Sequence, residues 1–574
     1  MDIRKTMGHM WLSMLVGSLL ALFMTTAGIG GEAPKGAVSP QEQLRLGERM
    51  YREGILPNGE PMQAVIKGDV SVSGMVFTCV SCHMRSGLGS VEGGVVTTPT
   101  NGRSLFRPRN ASQPAMPSME AEKGRAAPQP LPRRPAYTEA SLAAALRGGI
   151  DPAGRRLSDV MPRYYLNDAD MAIMVSYLTT LSAELSPGVS DKTLRLAAVI
   201  ADDVSPGDVE AMLAPLQSFI NAWNDLAAEL GTQKKSSRTR LYARSNKISA
   251  YQRLVLSRWD LKGAPATWRN QLEGYYRKEP VFALVGGITD HDWSAVHAFS
   301  EDNRIPCLFP QTDYPVVSDN HWYTLYLSKG YYQEGEAAAR YLAHRLDRAG
   351  TSGPVMHVVR DSRQGRSLSA GFQTAWGEAG RPAATTIMLQ AGQAVAESPV
   401  MEALAKVRPV AVVMWDGPEV TAVLPDLVFD GKRPELLLVS SGYLGTGLWT
   451  IPEQVRDVTF ITYPYRLPQD EQLHDRLNTP LQHASRLEGQ ARIIAKKATA
   501  LVGVLNQALF AMKEDVFRDY FFDIVSMLKD LDVPLYERFS FGPGQRYASK
   551  GCHIVSLSKG VRPELVRQSD WVVY

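Results

Sequence analysis

Cysteine is scarce in this chain, with four residues among 574. So few thiols exclude a small disulfide-rich scaffold. A dominant charge is also missing, because 62 lysines and arginines face 59 acidic residues and leave a net charge of +3. Such a balance is not typical of nucleic-acid-binding proteins. No nucleophile elbow, phosphate-binding loop or zincin motif occurs, so the sequence does not indicate a hydrolase.

Only one long apolar run is present, and it lies near the N-terminus. Residues 11–26 carry no charge and follow the basic pair Arg4 and Lys5. This arrangement predicts an export signal over residues 1–30, either cleaved or kept as a single membrane anchor. We therefore expect a periplasmic protein, soluble or tethered by one helix.

The first third of the chain reads as a helical domain over residues 38–185. Helical patterns run over 41–51, 138–147 and 167–181. Between them lies a Pro-rich, basic stretch over 107–135, which predicts a long loop inserted into the domain. Ser186-Pro187-Gly188 breaks the pattern, so residues 186–193 are predicted to be a linker.

Residues 194–574 have a different texture. Short β-branched runs alternate with longer helical patterns; the runs are 194–200, 281–285, 355–359, 410–414 and 436–440. This alternation is typical of parallel sheets with crossover helices. About 380 residues exceed what one sheet needs, so two α/β lobes are predicted.

The motif with the clearest chemistry is Cys79-Val80-Ser81-Cys82-His83. Two thiols one helical turn apart match the two vinyl groups of a porphyrin, and the adjacent imidazole can ligate the iron. A zinc site would need more ligands nearby, yet the next histidine is His291 and the next cysteine is Cys307. A thioredoxin-like pair would need a βαβ setting, and the flanks are Gly-rich. The motif therefore predicts one covalent haem c on Cys79 and Cys82, with His83 bound to iron.

A sixth iron ligand is expected from the far side of the domain. Met161 lies in a loop before the last helix and is followed by Pro162. A thioether suits low-spin iron and raises its potential, so Met161 is the predicted ligand. The alternative is that Met161 is itself a core methionine, since other methionines lie nearby; they are Met75, Met84, Met171 and Met174. Of these, Met171 and Met174 lie at helical spacing, which indicates core residues.

Residues 38–185 resemble a class I mono-haem cytochrome c, an all-α fold. The resemblance is carried by 46–51, 79–83, 149–154, 161–164, 168–170 and 177–181. It implies that Gly47 and Tyr51 on the first helix pack against Tyr177 and Leu178 on the last. It also implies a proline carbonyl, from Pro99, accepting a hydrogen bond from the ligand imidazole. The 107–135 insertion departs from compact members and is either a solvated loop or a basic docking surface for an acidic redox partner.

Residues 194–574 resemble the type I periplasmic solute-binding fold, whose members bind branched-chain amino acids, amides and related solutes. The resemblance is carried by 201–203, 282–289, 304–310, 358–365, 412–417 and 463–468. In such two-lobed proteins the ligand sits in the cleft, at the carboxyl ends of the strands.

Candidate cleft residues follow from this resemblance. Donors for a solute carboxylate are Gly287, Thr289, Gln311 and Thr312, and acids for an ammonium group are Asp290, Asp361 and Asp416. Trp415 and Tyr463 either line the pocket or belong to the core. Cys307 and Cys552 either pair or stay free, since the sequence does not give their separation.

Together these expectations describe an all-α cytochrome c domain followed by a two-lobed α/β domain. The main prediction is an electron carrier with one His/Met-ligated haem and a solute-binding-like domain for sensing or partner docking. The alternative is a transport receptor with an accessory haem domain. Expected partners are periplasmic redox proteins and an amino-acid-like or amide solute, with no nucleic acid. The chain itself is predicted not to be an enzyme; whether it serves a periplasmic dehydrogenase system as a subunit stays open.

Overall fold

The computed structural model describes residues 39–573 except for eleven short gaps. The gaps are 67–68, 93–94, 111–130, 232–251, 319–320, 396–397, 429–433, 478–486, 514, 529–530 and 543. The predicted export signal over 1–30 and most of the 107–135 insertion therefore lie outside the described residues.

The helices of the N-terminal domain begin and end at residues suited to capping. They are α1 (Pro40–Glu53), α2 (Cys79–His83), α3 (Gly102–Leu105), α4 (Glu139–Gly148) and α5 (Asp168–Thr180). Ser39 caps α1 by accepting a hydrogen bond from the Glu42 amide, and the left-handed Gly54 ends the helix. Thr138 and Ser141 form a capping box at the start of α4.

Helices α1 and α5 cross closely at Gly47. A Cβ atom at Gly47 would lie 2.5 Å from the Tyr177 Cβ and 2.9 Å from the Ile173 carbonyl oxygen, so only glycine permits this approach. One turn further on, the Tyr51 and Tyr177 rings are 5.5 Å apart. The predicted packing of Gly47 and Tyr51 against Tyr177 is thus confirmed.

The N-terminal domain also contains strands, so its described part is not all-α as predicted. An antiparallel sheet has the order β2-β1-β5, and a second pair joins β3 to β4. The bounds are β1 (Gln63–Ile66), β2 (Val70–Ser73), β3 (Val91–Glu92), β4 (Val95–Val96) and β5 (Arg163–Tyr164). Strands of four residues or fewer leave too short a periodic pattern for a sequence-based assignment.

Lobe 1 of the second domain is a five-stranded parallel sheet with the order β10-β9-β8-β6-β7. Its strands are β6 (Thr193–Ala201), β7 (Arg253–Leu261), β8 (Ala283–Val285), β9 (Cys307–Leu308) and β10 (Thr324–Leu325). Its first helices are α6 (Pro206–Gly231), α7 (Trp268–Lys278) and α8 (Ser294–Asp302). The first strand is buried over most of its length, as expected of a central strand covered on both faces.

Lobe 2 has an eight-stranded sheet with the order β12-β11-β13-β14-β15-β16-β17, in which β18 also pairs with β16. The strands are β11 (Val355–Arg360), β12 (Thr385–Leu389), β13 (Ala411–Trp415), β14 (Leu436–Ser440), β15 (Thr459–Tyr463), β16 (Gly551–Leu557), β17 (Leu565–Arg567) and β18 (Val572–Val573). The helices are α9 (Tyr331–Ala349), α10 (Arg363–Glu378), α11 (Val400–Val407), α12 (Ser441–Leu444) and α13 (Pro468–Leu477). The strands from β11 to β15 are parallel, and β16 runs against them.

The chain passes between the lobes three times. It enters lobe 2 at α9 and returns to lobe 1 with α14 (Gly489–Met512) and α15 (Arg518–Met527), whose apolar side chains share the core formed by β6, β8 and α6. It then crosses back to lobe 2 at β16. By length and composition α14 is the one described helix that could cross a membrane, and it is mostly buried within the structure. The predicted two-lobed α/β architecture is confirmed.

Candidate functional site

The Cys-x-x-Cys-His motif forms the one-turn helix α2. Residues three apart on a helix share a face, so this turn presents Cys79 and Cys82 on the same side. Both thiols are free; Cys79 is half-buried and Cys82 is exposed. The Ser81 hydroxyl donates to the Thr78 carbonyl at 2.7 Å and tightens the turn.

The ring of His83 is held by the backbone. Its Nδ1 lies 2.8 Å from the Thr98 carbonyl oxygen, and because a carbonyl only accepts, Nδ1 carries the proton. The unprotonated Nε2 is therefore the atom left to bind a metal. Burial lowers the pKa of His83, which favours the neutral, ligating form. The acceptor is the carbonyl of Thr98 rather than that of Pro99, one residue earlier than predicted.

Arg163 fixes the loop that carries Met161. Its guanidinium donates to the Leu157 and Ser158 carbonyls, both at 3.2 Å, and also to the Met161 carbonyl. The space for this guanidinium exists because residue 149 is glycine; a Cβ atom there would lie 1.9 Å from the Arg163 Nε. Arg163 is a positioning residue that the sequence analysis missed.

The residues present fit a covalent haem. Cys79, Val80, Leu157 and Met161 all pack, partly buried, against one apolar cluster that includes Met50 and Tyr51. By contrast Met171 and Met174 are fully inside that cluster, as expected of core methionines. The same apolar cluster therefore contacts both Cys79 and Met161. An apolar environment of this kind would suit a bound porphyrin.

Arg134 from the Pro-rich insertion is buried rather than available for docking. Its guanidinium donates to the carbonyls of Ser104, Leu105, Arg107 and Pro135. Four carbonyls satisfy a buried guanidinium and fix the end of the insertion. Arg134 was part of the predicted basic docking surface, but its guanidinium instead stabilises the fold of this segment.

In lobe 1 an acidic turn lies at the carboxyl end of the sheet. Asp203 follows β6 and accepts hydrogen bonds from the Thr289 hydroxyl and the amides of Asp290 and His291, at 3.0–3.1 Å. The Thr289 hydroxyl is thus already committed within the protein. Asp290 itself is exposed, and burial together with Asp203 raises the pKa of the Asp290 carboxyl.

Gln311 lies at the next strand end, beside Thr312. The Gln311 side chain is 6% exposed, and neither its amide oxygen nor its amide nitrogen has a partner among the described residues. Its backbone amide donates to the Gly287 carbonyl at 2.8 Å. Gly287 is a glycine because its φ of +100° and the Trp293 ring 2.5 Å from a Cβ position exclude other residues. A polar ligand placed here would satisfy the hydrogen-bonding groups of the buried Gln311 amide.

In lobe 2 the carboxylates of the two predicted acids, Asp416 and Asp361, pair with arginines. Asp416 accepts two hydrogen bonds from Arg360, at 2.8 and 2.7 Å, and Asp361 pairs with Arg366. A carboxylate bound in this way is not free for an ammonium group. The buried pair with Arg360 argues against Asp416 as an ammonium acceptor, whereas Asp361, whose pair with Arg366 is largely exposed, stays a prediction.

Arg363, at the start of α10, reaches across the cleft from lobe 2 to lobe 1. Its Nη1 donates to the Asp290 carbonyl at 3.2 Å, and its guanidinium lies 3.8 Å from the centre of the Tyr314 ring. Its Nη2 is buried and has no hydrogen-bond partner among the described residues. Among the described residues, an unpartnered guanidinium nitrogen of lobe 2 and an unpartnered amide of lobe 1 therefore lie on segments that follow strand ends of the two lobes.

A buried acid holds the start of lobe 2 together. Glu334, in the first turn of α9, accepts hydrogen bonds from the Ser440 hydroxyl at 2.8 Å and the Thr462 hydroxyl at 2.7 Å. These residues end β14 and lie in β15, so Glu334 ties one helix to two strands. Burial raises the pKa of Glu334 to about 7.

The predicted aromatic and cysteine residues lie in cores. Trp415 is fully buried in lobe 2, 6.5 Å from the Phe372 ring, so it does not line the cleft. Tyr463 packs partly buried against the other face of that sheet. Cys307 in lobe 1 and Cys552 in lobe 2 are buried, free thiols.

Of the two strongest candidate binding residues, the sequence analysis predicted one and missed the other. Gln311 was predicted, whereas Arg363 was missed although it lies two residues after Asp361. The available signal was its place at the first position of a helix that follows a strand, where side chains face the cleft.

Comparisons with known proteins agree with the fold of the second domain. Residues 252–483 match the family model described as periplasmic binding protein. No curated protein matches the chain. A substrate-binding protein of Sphaerobacter thermophilus shares 13% identity over 67% of this chain and 98% of its own, with a TM-score of 0.47.

Two further solved structures give similar values. A putative branched-chain amino acid transporter from Rhodospirillum rubrum shares 13% identity over 67% of this chain and 100% of its own, with a TM-score of 0.46. A protein of Thermus thermophilus with bound valine shares 12% over 67% and 98%, with a TM-score of 0.43. Values this low say nothing about the solute. The two-lobed α/β domain of this chain is thus similar, over residues 252–483, to periplasmic binding proteins, and the N-terminal domain lies outside that match.

Proposed function

We propose that this chain is an exported solute-binding receptor whose cleft takes a small molecule bearing a carboxylate. The observation that carries the proposal is the buried, unpartnered Nη2 of Arg363 at the cleft between the lobes. A guanidinium is the side chain best suited to a carboxylate, because its fork matches the two oxygens. Of the two functions that the sequence leaves open, the family match supports this receptor more than the electron carrier.

An α-amino group on the same solute would complement the acidic turn of lobe 1. Asp290 is exposed beside Asp203, and its carboxyl has no donor among the described residues. An ammonium group placed there would offset the repulsion between the two acids. Gln311 supplies both a donor and an acceptor for the rest of the solute. The site therefore favours an amino acid over a simple amide. A receptor of this kind would deliver the amino acid to a membrane permease, which is the proposed partner.

Binding is tested with three matched solute sets: amino acids, carboxylic acids that lack the amine, and amides that lack the carboxylate. At a hundredfold excess over Kd, a bound solute adds about 2.7 kcal/mol to stability. We expect the thermal midpoint of the second domain to rise most with amino acids and least with amides. Calorimetric titration then gives the Kd. Equal midpoints in all three sets would contradict the proposed site.

A second function is favoured by α2 and the His83–Thr98 hydrogen bond. We infer that the N-terminal domain holds one haem c, with thioether bonds to Cys79 and Cys82 and with His83 and Met161 as iron ligands. When bound, the haem supplies a one-electron couple. Thr98 orients the His83 ring, and Arg163 holds the Met161 loop. This addition would make the receptor a carrier that passes single electrons to a periplasmic redox partner.

Met161→Ala tests the sixth ligand. Removing the thioether is expected to abolish the sulfur-to-iron absorption band and to lower the reduction potential, because methionine ligation raises it. Optical redox titration of the holoprotein measures both. Met171→Ala is the matched control, since Met171 lies in the apolar core of the domain, and it should keep the band. The assignment would be contradicted if Met161→Ala kept the absorption band while Met171→Ala lost it.

A further inference from the structure

The loop that follows the haem motif is seated on lobe 1. This 84–90 loop contributes Leu88 to the hydrophobic core of lobe 1, where Leu88 is 4% exposed. Asp523, on α15 of lobe 1 and 4% exposed, accepts hydrogen bonds from the backbone amides of Arg85 at 3.0 Å and Ser86 at 2.9 Å. A single carboxylate of the second domain thus binds two consecutive amides just after His83.

Charged and aromatic contacts surround this seat. The Arg85 guanidinium lies 4.0 Å from the centre of the Trp322 ring and 3.5 Å from Asp519. Asp519 also pairs with Arg52 of α1 at 2.8 Å. Charges with side chains only 13–22% exposed are weakly screened by salt. The N-terminal domain is therefore bound to lobe 1 by a buried polar network and not merely tethered to it.

The seat bears directly on the position of His83. Met84 has a left-handed backbone, with φ of 64°, and its carbonyl accepts a hydrogen bond from the Tyr51 hydroxyl at 2.8 Å. A methionine in this conformation is strained unless its neighbours are fixed. Asp523 fixes the two residues that follow, and Tyr51 fixes Met84 itself.

We propose that Asp523 is a positioning residue for the haem site, so that lobe 1 of the binding domain holds the His83 side of the pocket and lowers the reduction potential. The inference rests on the proposed haem function. Its electrostatic part follows from charge: a buried carboxylate beside the residues that follow His83 would stabilise the ferric state of a haem bound there, because that state carries one more positive charge. Its positional part follows from the two amide hydrogen bonds.

Asp523→Asn tests both parts at nearly unchanged volume. The asparagine has no negative charge, and its NH₂ group cannot accept the second amide hydrogen bond. We expect covalent haem to be retained and the reduction potential, measured at pH 8, to rise. Asp519→Asn removes the same charge from the same helix but leaves both amide bonds intact, so its positive shift should be smaller. An unchanged potential in Asp523→Asn holoprotein would overturn the inference.

A second measurement needs no variant. In the holoprotein, hydrogen exchange at the amides of Arg85 and Ser86 should be as slow as in the core of lobe 1, because Asp523 accepts both. Exchange at the rate of an exposed loop would overturn the inference even if Asp523→Asn failed to fold. Haem staining of the denatured parent separates the two proposals: a parent without covalent haem overturns the haem function and this inference together, whereas a stained parent with fast exchange overturns the inference alone.

Discussion

Replacing Cys79 and Cys82 together with alanine is expected to abolish covalent haem completely. Each thioether bond needs one of these thiols, and the remaining cysteines, Cys307 and Cys552, are buried in the cores of the two lobes. After expression with a cytochrome c maturation system, the denatured parent polypeptide should stain for haem and the double variant should not. Each single variant should keep one thioether and an absorption spectrum shifted by the remaining vinyl group.

The matched control for this result is Cys307→Ala. Cys307 is fully buried in lobe 1, so its loss alters packing there but removes no thiol from α2. Haem staining should equal that of the parent. Staining that survives in the double variant would show that the haem is attached elsewhere.

Arg363→Gln is expected to weaken solute binding by roughly 10- to 100-fold, the equivalent of about 1.5–3 kcal/mol for a hydrogen bond to a charged group. The change removes the guanidinium nitrogen that has no hydrogen-bond partner among the described residues and keeps a polar but shorter and uncharged side chain. Calorimetric titration with the best amino acid from the solute screen measures the ratio of Kd values. The loss should be smaller for solutes without a carboxylate.

Arg366→Gln is the control on the same helix. Arg366 is largely exposed and pairs with Asp361, so its removal should change Kd by less than about threefold, as expected for a surface ion pair. An equal loss of affinity in both variants would mean that general charge, rather than a direct contact, attracts the solute.

The motifs of the N-terminal domain could be predicted because they depend on local spacing. Cys79, Cys82 and His83 belong to one helical turn, and the packing of Gly47 against the last helix was implied by the family resemblance. The acceptor for the His83 ring was misplaced by one residue, since a hydrogen bond over fifteen positions depends on how the intervening loop folds. The short strands β1, β2 and β5 were missed because four residues or fewer leave too short a periodic pattern.

The cleft could be predicted only in outline, because its polar residues find partners far away in sequence. The sequence made Asp416 a reasonable candidate to bind an ammonium group. In the structure, Asp416 pairs with Arg360, fifty-six positions earlier. Trp415 ends a strand buried on both faces, so its sequence pattern does not show which side it occupies. What distinguishes the Gln311 amide and the Arg363 Nη2 is that neither has a hydrogen-bond partner among the described residues, and that property exists only after the chain has folded.

Lobe 1 is discontinuous, and this has a consequence for the order of assembly. Asp523 lies in α15, after every parallel strand of lobe 2, so it is made after all of these strands. An N-terminal domain generally folds first during synthesis. The turn with Cys79 and Cys82 therefore emerges long before the Asp523 contact on lobe 1 can form. Under the proposed haem function, this order would keep both thiols accessible while haem is attached, and the two domains would dock only after α15 has been made.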